Sequence, residues 1–128
     1  MPTILIADDS RFQVQLISGW LAEGGFTVTT AFDALQAGMT ALRTSPGAII
    51  LDINMPCGSG IEVLKRLRMS TKTQHIPVVV VSGDTKPEIE EAARSLGCTE
   101  FLHKPVERDQ LFDALSRVLH QPIDAKTH

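Results

Sequence analysis

The sequence predicts an α/β fold, a five-stranded parallel sheet with five helices distributed over both faces. Short continuous apolar runs recur along the chain. Segments with helical spacing fall between them, and capping signals mark where those segments begin and end.

The strand series opens with Ile4-Leu5-Ile6-Ala7 and continues through Ala48-Ile49-Ile50-Leu51 and Val78-Val79-Val80-Val81. Unbroken rather than alternating hydrophobicity is what a parallel strand needs when helices cover both its faces. Phe26-Thr27-Val28-Thr29 and Glu100-Phe101-Leu102-His103 are more polar and suit strands nearer the sheet edges. Between the runs, Ser10 with Gln13, Ser59 with Glu62 and Thr85 with Glu88 match the S/T-x-x-E/Q capping box and predict three helix starts. Leu35, Met39 and Leu42 predict a weaker helix after Asp33. Ile89, Ala92, Ala93 and Leu96 form an apolar stripe in the fourth helix, as do Leu111, Ala114, Leu115, Val118 and Leu119 in the fifth. Gly24-Gly25 and Gly97 stand where helices stop.

The repeat length of roughly 20–30 residues is that of a βα unit. Right-handed crossovers leave few ways of winding five such units. The flavodoxin-like, doubly wound order 2-1-3-4-5 is the expected one. Residues 1–120 read as one domain, followed by a polar tail over 121–128.

At 128 residues, with 43% apolar and 21% charged residues, the chain has globular composition. A net charge of −3 and the lack of a basic cluster argue against direct nucleic-acid binding. No apolar run is long enough to span a membrane, and the start at Met1-Pro2-Thr3 lacks the look of a signal peptide. Two cysteines, Cys57 and Cys98, read as free thiols in a cytoplasmic protein. His75, His103, His120 and His128 show no ligand spacing, and Trp20 reads as a partly covered residue of the first helix.

In this fold ligands bind beyond the carboxyl ends of the strands, where strand order reverses. Asp8-Asp9 follows the first apolar run, Asp52 the third, Ser82 the fourth and Lys104-Pro105 the fifth. The first and third strands would be neighbours about 4.8 Å apart. Three carboxylates crowded there need a proton or a cation. Oxygen ligands alone select a hard ion, and Mg²⁺ fits better than Ca²⁺, with Mn²⁺ as a substitute. An ionised carboxylate beside such an ion is a nucleophile toward phosphorus, with Lys104 and Ser82 placed to hold phosphoryl oxygens.

These residues resemble the response-regulator receiver domains of two-component signalling, over about Thr3 to His120. The motifs are Asp8-Asp9-Ser10, Asp52-Ile53-Asn54-Met55-Pro56, Ser82-Gly83 and Lys104-Pro105, with Gly60 opening the helix after the third strand. The resemblance implies that Asp52 is the phosphoacceptor. It implies that Asp9 and Asp52 bind Mg²⁺ directly, Asp8 through water and Asn54 through its backbone carbonyl. Ser82 and Phe101 would be the switch residues, Lys104 a phosphoryl contact, and the bond before Pro105 cis. Phosphorylation would be read out on the face formed by the fourth helix, fifth strand and fifth helix.

The implied partners are a histidine kinase or histidine phosphotransfer protein and an output domain or target protein, with phosphorylation-dependent homodimerisation left open. The chain would catalyse its own phosphorylation and dephosphorylation and act on no outside substrate. Ser82 stands where threonine is commoner and Gly83 where alanine is frequent, so the following loop is expected to be more mobile. The turn Cys57-Gly58-Ser59-Gly60 carries extra glycine and leaves its conformation open. Asn54 and Asp84 occupy the positions that tune phosphoryl loss, and fairly quick autodephosphorylation is expected.

Three rivals fit less well. A haloacid-dehalogenase-like phosphatase needs a second Asp two residues after its nucleophile, where this chain has Asn54. A flavin module needs aromatic cover for its ring, and the chain has no tyrosine. A non-phosphorylated interaction scaffold on the same fold usually lacks one of the acids or the lysine, and here all are kept.

Overall fold

The computed structural model describes residues 2–120. The ten elements are β1 (Thr3–Ala7), α1 (Arg11–Glu23), β2 (Thr27–Ala31), α2 (Ala34–Thr44) and β3 (Ala48–Asp52). They continue with α3 (Gly60–Met69), β4 (Val78–Ser82), α4 (Pro87–Ser95), β5 (Glu100–His103) and α5 (Arg108–Leu119). All neighbouring strands pair in parallel, in the order β2-β1-β3-β4-β5. The doubly wound topology is the one the apolar runs predict. The proposed tail, 121–128, lies outside the described residues. Among the described residues no helix is long and apolar enough to cross a membrane.

Strand alternation divides the core between the two faces. Ile4 and Ile6 of β1 join Ile17 and Leu21 of α1 and Leu111 and Leu115 of α5 on one side. Leu5 and Ala7 join Ala37 and Ala41 of α2 and Val63, Leu64 and Leu67 of α3 on the other, with Ala93 of α4. β3 and β4 are buried along their whole lengths, which is why their sequences are unbroken apolar runs.

Helix ends follow the local chemistry closely. The Ser10 and Ser59 hydroxyls accept from the amides of Gln13 and Glu62, and Asp33 caps α2 through the Gln36 amide. Gly25 and Gly97 adopt φ of 87° and 83°. Beside them Phe26 N–H donates to Leu21 and Gly25 N–H to Ala22, while Cys98 N–H donates to Ala93 and Gly97 N–H to Arg94. Both endings are Schellman motifs, which need a residue at ease with positive φ.

Two expectations are corrected, and the phase of one helix is settled. β2 begins at Thr27 and runs to Ala31, rather than from Phe26 to Thr29, because the Phe26 amide closes α1. Thr85 does not cap α4. The N-cap is Lys86, followed by Pro87, whose ring fixes φ and which has no amide to satisfy. In α2 the stripe Leu35, Met39 and Leu42 faces outward, 55%, 58% and 50% exposed, while Ala34, Ala37, Thr40 and Ala41 face the sheet. The small residues allow α2 to lie close over Ala7 and Ala31, which belong to the same cluster.

Candidate functional site

The carboxyl edge of the sheet gathers what the sequence places at the ends of β1, β3, β4 and β5. Carboxylate oxygens of Asp8, Asp9 and Asp52 all lie within 4.8 Å of one another. Asp8 and Asp52 are buried, and Asp9 is exposed. Asp8 is held from below by its own backbone, its amide donating to Ala31 at the end of β2, and its Oδ1 accepts from the Ser10 amide at 2.9 Å. The Asn54 amide lies 3.4 Å from Asp52 Oδ1, while the Asn54 side chain is exposed.

Lys104 supplies the local counter-charge. Its Nζ donates to Asp8 Oδ2 at 3.1 Å and lies 3.5 Å from Asp52 Oδ1. Lys104 N–H also donates to the Ser82 carbonyl at 2.8 Å, which fixes the end of β5 to the end of β4. The following Lys104–Pro105 peptide bond is cis. One lysine does not neutralise three acids. Burial first, and then the charge of Asp8, push the Asp52 carboxyl up to about 6, against the pull of Lys104 and the Asn54 amide. A carboxyl held so far above its ordinary value is a group waiting for a positive charge.

The end of β4 is tied into the loop that follows it. Ser82 is fully buried, and its hydroxyl oxygen accepts from the Asp84 amide at 3.0 Å. Asp84 Oδ1 in turn accepts from the Lys86 amide at 2.9 Å, so the segment from Ser82 to Lys86 is chained to the start of α4. A Cβ at Gly83 would meet the Lys104 Cδ at 3.9 Å, ordinary van der Waals contact. Glycine there leaves the lysine stem uncovered rather than answering a strained φ. Phe101 is buried, its ring 5.2 Å from that of His103 in an edge-on arrangement. His103 Nε2 lies 3.5 Å from Glu90 on α4. Phe101 therefore sits in the core at one remove from the acidic cluster, as part of the β5–α4 contact.

Two contacts near the site emerge only in three dimensions. Gly60 opens α3 directly beneath the cluster, where a Cβ would run into the Asp52 carbonyl and the Ile53 Cα. Its amide donates to the Ile53 carbonyl at 2.7 Å. The turn before it is left-handed, with φ of 60° at Cys57 and 113° at Gly58. The Arg11 guanidinium also stacks 4.4 Å above the Phe32 ring, just beyond the ends of β1 and β2. Twenty-one residues separate that pair, too far for any local pattern to announce it.

With this geometry established, comparison with known proteins is decisive. Residues 4–116 match the family described as response regulator receiver domain. This chain belongs to that family.

The receiver is 35% identical over 120 residues to the two-component response regulator ORR11 of Oryza sativa subsp. japonica, covering 92% of this chain and 81% of that protein. It is 32% identical to the transcriptional regulatory protein PrrA of Mycobacterium leprae, covering 94% of this chain and 51% of PrrA. It covers 18% of protein RcaC of Microchaete diplosiphon, at 31% identity. The chain thus spans about half or less of the length of several relatives that it matches. Among solved structures, the chemotaxis protein CheY4 of Vibrio cholerae superposes with a TM-score of 0.87 at 34% identity, covering 93% of this chain and 99% of that one. The receiver is a regulatory module of two-component signalling, and a phospho-accepting role is general to its family.

Proposed function

We propose that this receiver accepts a phosphoryl group on Asp52 from a phosphohistidine, on a histidine kinase or histidine phosphotransfer protein. The observation that carries this reading is the buried, charge-starved Asp52, flanked by two further carboxylates and by Lys104. An Asp52 oxygen would attack phosphorus in line as the bond from phosphorus to the histidine nitrogen breaks, and the imidazole leaves with the electron pair and takes up a proton. Lys104, now shared between Asp8 and Asp52, would move its ammonium to a phosphoryl oxygen. Ser82 would give its hydroxyl hydrogen to another, with its lone pair already engaged by the Asp84 amide.

The donor set fits a hard divalent cation. All three side-chain ligands are carboxylates, no His or Cys among the described residues joins the group, and the raised Asp52 carboxyl favours a cation as partner. Asp9 and Asp52 would hold Mg²⁺ directly, Asp8 through water and Asn54 through its carbonyl, with Mn²⁺ as a substitute. When bound, the ion neutralises charge on the phosphoryl oxygens. Asn54, two residues after Asp52, and Asp84, in the loop after β4, would orient the water that later removes the group.

Signal output would pass from Ser82 along the chain of hydrogen bonds to Lys86, and from Phe101 through His103 and Glu90, to the surface of α4, β5 and α5. That surface would engage an output domain, a separate target or a second copy of the receiver. The chain would act on no outside substrate, and the free thiols Cys57 and Cys98 suit a reducing cytoplasm.

Intact mass after incubation with acetyl phosphate tests the reading. A phosphoryl adduct is expected with Mg²⁺, and none without the ion or in an Asp52→Asn variant. An adduct that persists in the variant, or no adduct under rapid quench in the folded wild-type protein, would overturn it.

A further inference from the structure

Arg68 is a charged group that the acidic edge does not use. It stands in the last turn of α3, half-buried, and no ion pair among the described residues includes it. Its guanidinium is committed to backbone carbonyls instead. Nη1 donates to Ile76 at 2.8 Å and to Gln74 at 3.3 Å, just before β4. Nη2 donates to Gly97 at 2.9 Å, in the turn from α4 to β5. The fit is close, since a Cβ at Gly97 would meet Arg68 Nε at 3.2 Å. Hydrogen bonds from a charged donor are among the stronger ones, and one planar fork here ties α3, the approach to β4 and the end of α4 together.

The two ends of α4 are held unequally. At the carboxyl end the Schellman turn closes onto Ala93 and Arg94, and Cys98 is buried. The Thr99 amide donates to the Val78 carbonyl at 2.8 Å, and the Thr99 hydroxyl oxygen accepts from the Val78 amide at 3.2 Å. Arg68 clamps that turn from outside. At the amino end the N-cap, Lys86, makes no side-chain bond. There the Lys86 amide donates to the Asp84 carboxylate at 2.9 Å and the Asp84 amide to the Ser82 hydroxyl oxygen at 3.0 Å, with the flexible Gly83 between them. Glu90 and His103 add a contact of 3.5 Å between solvent-exposed groups, a kind that contributes little. Along α4 itself only Ala93 is buried outright.

We propose that α4 is a lever pinned at its carboxyl end, with Arg68 as the positioning residue that holds the pin and the Ser82 hydroxyl steering the opposite end. The lever depends on the phosphoryl reading of Asp52, because that group is what would claim the Ser82 hydroxyl. A phosphoryl oxygen that draws the hydroxyl toward it pulls on the Asp84 amide and, through the Asp84 carboxylate, on the first turn of α4. The nine residues of α4 span about 13 Å, so motion about Gly97 is largest around the exposed Glu88 and smallest around Arg94. A helix held equally at both ends would instead shift as one body.

Amide hydrogen exchange on the full chain tests it, with and without Mg²⁺ and beryllofluoride as a stand-in for the phosphoryl group. In the wild type, exchange over residues 84–92 is expected to change by at least about fivefold, while residues 96–99 change by less than about twofold. Arg68→Met should spread the response, so that residues 97–99 also change by about fivefold or more. Arg68→Lys keeps a charged donor without the fork and should fall between the two; should Arg68→Met fail to fold, it carries the same comparison. A merely structural Arg68 would raise exchange at its own contacts equally with and without the ligand and leave the response unmoved. Ser82→Ala forms a second arm that needs no ligand, and it should loosen residues 84–92 while sparing 96–99. A wild-type response spread evenly along α4, or one centred on its carboxyl end, would overturn the lever. So would a response distributed in the Arg68 variants as in the wild type, or Ser82→Ala loosening both ends alike. Failure of beryllofluoride to bind, followed by fluorine NMR, would count against the phosphoryl reading instead, and the Ser82→Ala arm would still decide how α4 is pinned.

Discussion

β3 joins two regions where burial works in opposite directions. Ile49, Ile50 and Leu51 lie between the two helical layers, at most 2% exposed, and each contributes the free energy of removing an apolar side chain from water. Asp52, the next residue, is 3% exposed, and there the same dryness counts against the fold because the group carries charge. The sheet interior is built for stability, and its carboxyl edge draws on that stability to keep a carboxylate out of water.

The largest effect that sharpens this contrast is Leu51→Ala. It removes a fully buried side chain from the cluster shared with α2 and α3, and should lower unfolding free energy by about 2–5 kcal/mol. Denaturant titration at neutral pH would measure it. A loss under about 1 kcal/mol would mean that the interior has slack and that the contrast is weaker than the packing implies.

One position further on, the sign should reverse. The Asp52 carboxyl moves from an ordinary 3.8 to about 6 on folding, so the unfolded chain releases this proton more readily than the folded one. The site therefore costs nothing below about pH 4, becomes costly as pH rises through the window from about 4 to 6, and holds a constant penalty of about 3 kcal/mol above it. With a chelator present, Asp52→Asn should accordingly be more stable than wild type at pH 7 by up to about that amount. The advantage should shrink toward zero near pH 4. Adding Mg²⁺ at pH 7 should also narrow the gap, by stabilising the wild type alone. Paired thermal melts across pH would check all three, and a variant less stable than wild type at pH 7 would break the comparison.

Legibility in the sequence followed the same division. Strands buried on both faces announce themselves by composition alone, so β1, β3 and β4 could be read to within a residue or so. The acids after β1 and β3 were readable as neighbours because strand order brings those two ends together. What escaped were features that depend on the phase of a helix or on contacts far apart in the chain. The spacing of Leu35, Met39 and Leu42 marked the α2 helix but not its phase, and the close approach over Ala7 and Ala31 selects Ala37 and Ala41 for the inner face. Thr85 met the capping pattern, but Pro87 fixed the start of α4 one residue later. Gly60 was visible as a helix opening, while its contact with the Asp52 carbonyl needed three dimensions.

A third region, the outer face of α2, lies between the two extremes. Gly38→Ala should raise stability by about 1 kcal/mol, because the helix gains from losing a flexible residue and the added methyl meets no neighbour. Denaturant midpoints would show it. A destabilised variant would mean that a neighbouring side chain closes over this position in solution.

The smallest effect tests the phase of α2 itself. Met39 is 58% exposed, so Met39→Gln exchanges a flexible apolar chain for a polar one of similar length at a solvent-facing site, where both are good helix formers. The change in unfolding free energy should stay within about 0.5 kcal/mol. A loss of about 2 kcal/mol or more would place Met39 in the core and turn α2 by about one residue, some 100° of helix. A near-neutral result leaves Leu35, Met39 and Leu42 facing water, with the burial of α2 carried by Ala34, Ala37, Thr40 and Ala41.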